Sequence, residues 1–189
     1  MNEKNNHLWL TEYFDRYNES IFNPDVYDDL IRIKDIWEGI DRKGKKIIFA
    51  GNGGSAAMAS HCSVDLTKNA GIRAINFNEA DLITCFANDY GYDDWVAKAV
   101  QFYGDKEDSL ILVSSSGNSM NMVKAAIKAK KMGLRVITFT GFSKDNKLKQ
   151  EGEINIWVNS RAYNIVEMTH HIWLLAIVDA IIGSAEYSA

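Results

Sequence analysis

Proline is almost missing from this chain: Pro24 stands alone in 189 residues, so after the first two dozen positions nothing in the backbone forbids long helices and central strands. Cysteine is nearly as scarce. Cys62 and Cys85 are two isolated thiols, which excludes a disulfide framework, and no charged-then-apolar leader opens the chain, so the expected location is the cytoplasm. No block of one charge is present either. The net charge of -4 comes from acids and bases scattered through the same segments, an arrangement that does not predict nucleic-acid binding. Long apolar runs are also lacking: the most apolar stretch, Ile172 to Gly183, is interrupted by Asp179 and falls short of the roughly 20 residues a bilayer span needs. It reads as a buried helix, and no membrane partner is expected.

What is present is enough apolar material, 47% of residues, to bury one core without covalent staples. Leu8, Leu10, Tyr13, Phe14, Tyr17 and Ile21 recur at helical spacing, as do Leu30, Ile33, Ile36, Trp37 and Ile40 beyond the breaker Asn23-Pro24. Two N-terminal helices are therefore expected. The first is rich in aromatics and has no core of its own to join, which suggests packing against another subunit. From Lys45 the texture changes to short apolar runs, each ending in small polar residues and followed by a helical pattern. Lys46–Ala50 leads through Gly51-Asn52-Gly53-Gly54-Ser55 into a helix over Ala56–Lys68, and Leu110–Val113 leads through Ser114-Ser115-Ser116-Gly117-Asn118-Ser119 into a helix over Met120–Met132. Arg135–Gly141, a polar helix over Asp145–Gln150, a strand over Ile154–Val158 and a last helix over Tyr163–Ile182, apolar on nearly all sides, complete the pattern. Alternation of this kind predicts an α/β fold, a three-layer α/β/α sandwich around a mainly parallel sheet. The whole chain, 1–189, reads as one domain, with 1–43 forming the N-terminal helices and 44–189 the α/β core.

Both small-residue loops fall where strands run into helices, the place at which open parallel sheets hold ligands. The glycines of the first let the backbone approach an anion, and the helix behind it offers free N–H groups. The second places four hydroxyls, from Ser114, Ser115, Ser116 and Ser119, around Gly117, with no cation in the segment. One serine there would be an ordinary helix cap. Four with a glycine point to a phosphate held by neutral donors. No Gly-Lys-Ser/Thr follows either loop, so a nucleotide cofactor is not expected.

Gly51–Ser55, the later Ser114–Ser119 and Phe86-Ala87-Asn88-Asp89-Tyr90-Gly91-Tyr92 between them together resemble the SIS (sugar isomerase) fold, and within it the phosphoheptose isomerase branch. The resemblance implies a phosphorylated sugar as substrate, an aldose/ketose isomerisation of sedoheptulose 7-phosphate in heptose or surface-polysaccharide synthesis, and a homotetramer with active sites at subunit interfaces. Carried onto matching positions, it puts Ser55, Ser114, Ser115, Ser116 and Ser119 on the phosphate and Asn52, Gly53 and Asp89 on the sugar. The branch has a histidine followed four residues later by a glutamate, its base and zinc ligand; here those places hold His61 and Asp65. It also has a glutamine with a histidine eight residues on, where this chain has Val166, Glu167, His170 and His171, the distal position falling on Leu174 or Leu175. The resemblance then implies Asp65 as base, with His61 and either His170 or His171 moving protons. Glu167 lies three residues before His170 and four before His171, so one helical face offers a carboxylate and an imidazole in place of the branch's residues; Glu167 is expected in the substrate site, and zinc on His61, Asp65, Glu167 and His171 (or His170). Two alternatives follow from the departures: a non-catalytic phosphosugar-binding module, of sensor or replication-initiator-associating type, or an isomerase or epimerase of another phosphosugar.

Overall fold

The computed structural model describes residues 3–187. Two helices open it, α1 (Glu3–Ile21) and α2 (Tyr27–Arg42), separated by a 3-10 turn at Pro24–Val26 that begins where Asn23 accepts the N–H of Asp25. Then follow β1 (Ile47–Gly51), α3 (Gly54–Lys68), β2 (Ala74–Asn76), α4 (Ala80–Tyr90), α5 (Trp95–Tyr103), β3 (Ser109–Ser114), α6 (Met120–Met132), β4 (Arg135–Thr140), β5 (Ile154–Trp157) and α7 (Tyr163–Ile182). The five strands form one sheet in the order β2-β1-β3-β4-β5, every pairing parallel.

β1 and β3 are buried on both faces, as their unbroken apolar runs require. Alternate residues serve opposite layers. Ile47, Phe49, Ile111, Val113 and Phe139 pack with α2, α3 and α7, whereas Ile48, Ala50, Leu110 and Leu112 pack with α5 and α6. This is the expected α/β/α sandwich. α1 lies outside it, against α7, where Tyr17 Oη donates to the Asn164 carbonyl and Trp173 Nε1 to that of Ile21. None of its described side chains is buried, and Leu8, Trp9, Leu10 and Phe14 are exposed.

Three regions differ from the sequence expectation. Asp145–Gln150 is a run of turns, because Asn146 folds inward: its side chain donates to the Ser143 carbonyl and accepts from the N–H of Lys149, which competes with helical bonding. The stretch between Lys68 and Ser109 carries β2, α4 and α5, too short or too irregular in apolar spacing to have been resolved as runs. Finally, α7 is long and apolar enough by itself to cross a membrane, yet one face, including Val166, His170, Trp173, Leu174 and Ile177, is built into the core. Met168 and Ile172 on its other face stay exposed, so it is not covered on all sides.

Candidate active site

The loops after β1 and β3 meet at the carboxyl edge of the sheet. Between them and the start of α7 is a cleft of about 220 Å³ lined by Asn52, Ser55, Val113, Ser114–Ser116, Ser119, Tyr163 and Glu167. Gly53, at φ 55°, turns the chain into α3. Gly117 turns the serine loop at φ 63°, against the side chain of Asn146, which leaves no room for a Cβ.

Neither helix facing the cleft is capped by the side chain of the residue that precedes it. The residue that precedes α3 is Gly53, and Ser119, at the capping position of α6, makes no capping hydrogen bond. The plain reading of Ser119 as a helix cap therefore fails, and its hydroxyl is left for the cleft. Ser116 Oγ accepts the N–H of Asn118 at 3.2 Å, which shapes the loop. No lysine or arginine is among the described residues lining the cleft, so an anion here would be held by hydroxyls, free N–H groups and two helix dipoles.

A second tier holds this cradle still. The amides of Asn52 and Asn121 pair reciprocally, at 3.1 and 2.8 Å, and Tyr92 Oη donates to Asn52 Oδ1 at 3.3 Å. Leu148 N–H donates to the Gly117 carbonyl and Lys147 N–H to Asn118 Oδ1, so the 145–150 turns brace the serine loop from behind. Sequence reasoning missed Asn121, Tyr92, Asn146 and Tyr163. Of these, Asn121, an amide in the first turn behind the serines, and Tyr92, the last residue of the Phe86–Tyr92 motif, carried a signal in the sequence. The Asn88–Tyr92 segment reaches the site through Tyr92; Asp89 does not line the cleft and instead accepts from Asn88 Nδ2.

Along the neighbouring groove between α3 and α7 lie the other expected residues. His61 Nδ1 and His171 Nε2 are 2.9 Å apart, and His61 Nε2 is 3.3 Å from Asp65 Oδ2. Burial, and then the adjacent His61, hold the His171 imidazole below the usual histidine range, while Asp65 acts in the opposite direction. His170 is not part of this group. It points into the core, fully buried, donates Nε2–H to the Thr140 carbonyl at 3.0 Å, and its burial lowers its pKa to about 4. The expectation that it moves protons at the site is corrected: it is a neutral core residue.

Zinc ligands must aim at one centre about 2 Å from each. His61 instead presents opposite sides of its ring to His171 and Asp65, and Glu167, one turn earlier on α7, faces Ser115 Oγ at 3.3 Å. Among the described residues no group of three or more His, Cys, Asp or Glu side chains is arranged to hold a metal ion. The four donors expected from the sequence do not fit zinc as they stand.

Comparison with known proteins gives this geometry a lineage. The SIS domain family model matches residues 28–141. The chain is 35% identical over 150 residues to the phosphoheptose isomerase of Helicobacter pylori strain P12, covering 76% of this chain and 77% of that one. It is 36% identical over 143 residues to the enzyme of that name from Buchnera aphidicola (strain Tuc7), covering 73% and 74%. The fold superposes on a phosphoheptose isomerase structure from Francisella tularensis with a TM-score of 0.86, over 97% of this chain and 99% of that one, at 23% identity. The domain match over more than half the chain, the identity over about three quarters of each relative's length and the shared architecture agree: this chain belongs to the phosphoheptose isomerase family of SIS-domain proteins.

Proposed function

We propose that the protein is a sugar-phosphate isomerase that converts sedoheptulose 7-phosphate to D-glycero-heptose 7-phosphate, a step that supplies heptose for surface polysaccharide. The observation that carries this reading is the hydroxyl cradle: Ser119 leaves its helix uncapped and takes only a long 3.5 Å hydrogen bond from Ser114, Ser55 faces the same cleft, and the N-termini of α3 and α6 converge there. A phosphate ester supplies the acceptors they lack. Its binding energy is independent of the reacting carbons, so it can be used to hold C1 and C2 in place for proton transfer. Asn52, fixed by Asn121 and Tyr92, offers an oriented amide to the sugar hydroxyls.

Incubating the purified chain with sedoheptulose 7-phosphate and following the products by NMR tests this directly. An aldose 7-phosphate should accumulate. Binding of the phosphosugar with neither isomerisation nor C1 or C2 proton exchange, with or without added divalent metal, would establish the non-catalytic module instead.

Self-association belongs to the same proposal. The exposed Leu8, Trp9, Leu10 and Phe14 of α1, together with the exposed Met168 and Ile172 of α7, support a homotetramer with active sites at subunit interfaces. Light scattering on the eluting protein should give four times the chain mass, and a monomer would refute it. Both cysteines are free thiols, in keeping with a cytoplasmic location.

A further inference from the structure

The cleft changes character along its depth. Its inner wall holds Ser55, Ser114 and Ser115, each buried, whereas Tyr163, the one aromatic among the described lining residues, is 61% exposed and stands at the mouth. Phe142 holds it there: the two rings meet edge to face, with centroids 4.9 Å apart at 72°. Phe142 follows β4 and carries a φ of 54°, a left-handed backbone that only one other non-glycine residue, Glu107, shares among those described. For a bulky side chain this is strain, and it persists only where the surroundings enforce it. Here the Phe142 N–H donates to the Ser160 carbonyl at 2.9 Å, and its ring packs in part against the core. One residue earlier, Gly141 donates its N–H to the Ser115 carbonyl at 3.0 Å, and a Cβ there would overlap Val166. The strained turn thus ties the serine loop, the approach to α7 and the ring at the cleft mouth together within one chain.

We propose that Tyr163 reads the organic part of a phosphate ester, and that Phe142 is the residue that positions its ring. The proposal rests on the phosphate reading of the cradle. A phosphoryl group held by the inner serines turns its ester oxygen toward the opening, so the carbon chain of the ester leaves the cleft past Tyr163. The ring offers an apolar face to the C–H edges of that chain, while its hydroxyl can stay in water. Inorganic phosphate has no chain and does not reach the ring. Tyr163 is therefore a specificity-determining residue: it separates a sugar phosphate from the free phosphate that a cradle of hydroxyls alone would accept as well.

Calorimetric titration of the full chain with sedoheptulose 7-phosphate and, separately, with inorganic phosphate tests both residues. Tyr163→Ala should weaken binding of the sugar phosphate by about tenfold, as for loss of one aromatic contact, with the affinity for inorganic phosphate retained. Tyr163→Phe, which keeps the ring, should recover most of that loss. Phe142→Leu keeps apolar bulk against the core but removes the ring that meets Tyr163. It should weaken the sugar phosphate by a smaller factor and again spare inorganic phosphate, a pattern that a general loss of stability does not produce. Should Phe142→Leu fail to fold, Phe142→Met is read in its place. Wild-type affinity for the sugar phosphate in Tyr163→Ala would overturn the proposal, and so would an equal loss for both ligands. A loss in Tyr163→Phe as large as in Tyr163→Ala would overturn the ring contact, and wild-type affinities in the Phe142 variant would overturn the positioning role. A wild-type chain that binds neither ligand defeats the phosphate reading of the cradle itself, and this inference with it.

Discussion

The cradle and the α3/α7 groove are neighbours, yet they are made by different means. The cradle is built from backbone turns and hydroxyls that are contiguous in the chain, five residues in one loop and six in the other, each fixed by its own strand–helix junction. The groove brings His61 and Asp65 on one helix to His171 on another, 110 positions away from His61. A local device keeps its donors together under almost any small shift of packing. A site made by two helices depends on the rotation of each, since consecutive residues are separated by about 100° around a helix. His170 and His171 show the consequence: one is sealed in the core against Thr140, while its neighbour meets His61.

The sharpest way to break this contrast is Gly117→Ala. A Cβ there meets the Asn146 side chain at a φ of 63°, so the serine loop must move while the groove is untouched. Misplacing the donors by an ångström or so should cost about 10²-fold or more in kcat/KM, with the His61–His171 contact retained. A variant with wild-type kinetics would show that the loop is not the anchor.

His170 tests the other side of the comparison, a histidine used for packing. Its folded pKa, lowered to about 4 from 6.5, means that between those values the unfolded chain binds a proton the folded chain refuses. Its contribution to stability is therefore complete above about pH 6.5 and is lost as pH falls toward 4, a change of roughly 3 kcal/mol. Urea unfolding at pH 7 and pH 4.5 should show the loss, and His170→Gln should flatten it. Equal pH dependence in the two proteins would contradict the assignment.

Ser119→Ala separates binding from capping. Removal of a hydrogen bond to a charged group should raise KM by about tenfold. Removal of a helix cap would instead cost about 1 kcal/mol of stability. Ser119 makes no capping bond, so KM should rise with the melting temperature unchanged; the reverse pattern would restore the capping role. The smallest effect is expected from chelation. Because His171 and Asp65 lie on opposite sides of His61, dialysis against EDTA should leave turnover unchanged, and a loss restored by added zinc would show that the groove rearranges around a metal.

The sequence by itself determined the parallel sheet, since unbroken apolar runs alternating with helical patterns admit few other architectures, and it determined the cradle, since glycines and serines at strand–helix junctions act through the backbone beside them. It also placed α6 and α7 to the residue. The tertiary structure alone decided which histidine faces the groove, which carboxylate enters the cleft, and that Asn146 and Asn121 brace the loops from elsewhere in the chain. Those outcomes depend on helix rotation and on contacts between distant residues, and a helix as apolar all round as α7 gives no pattern from which its rotation can be read.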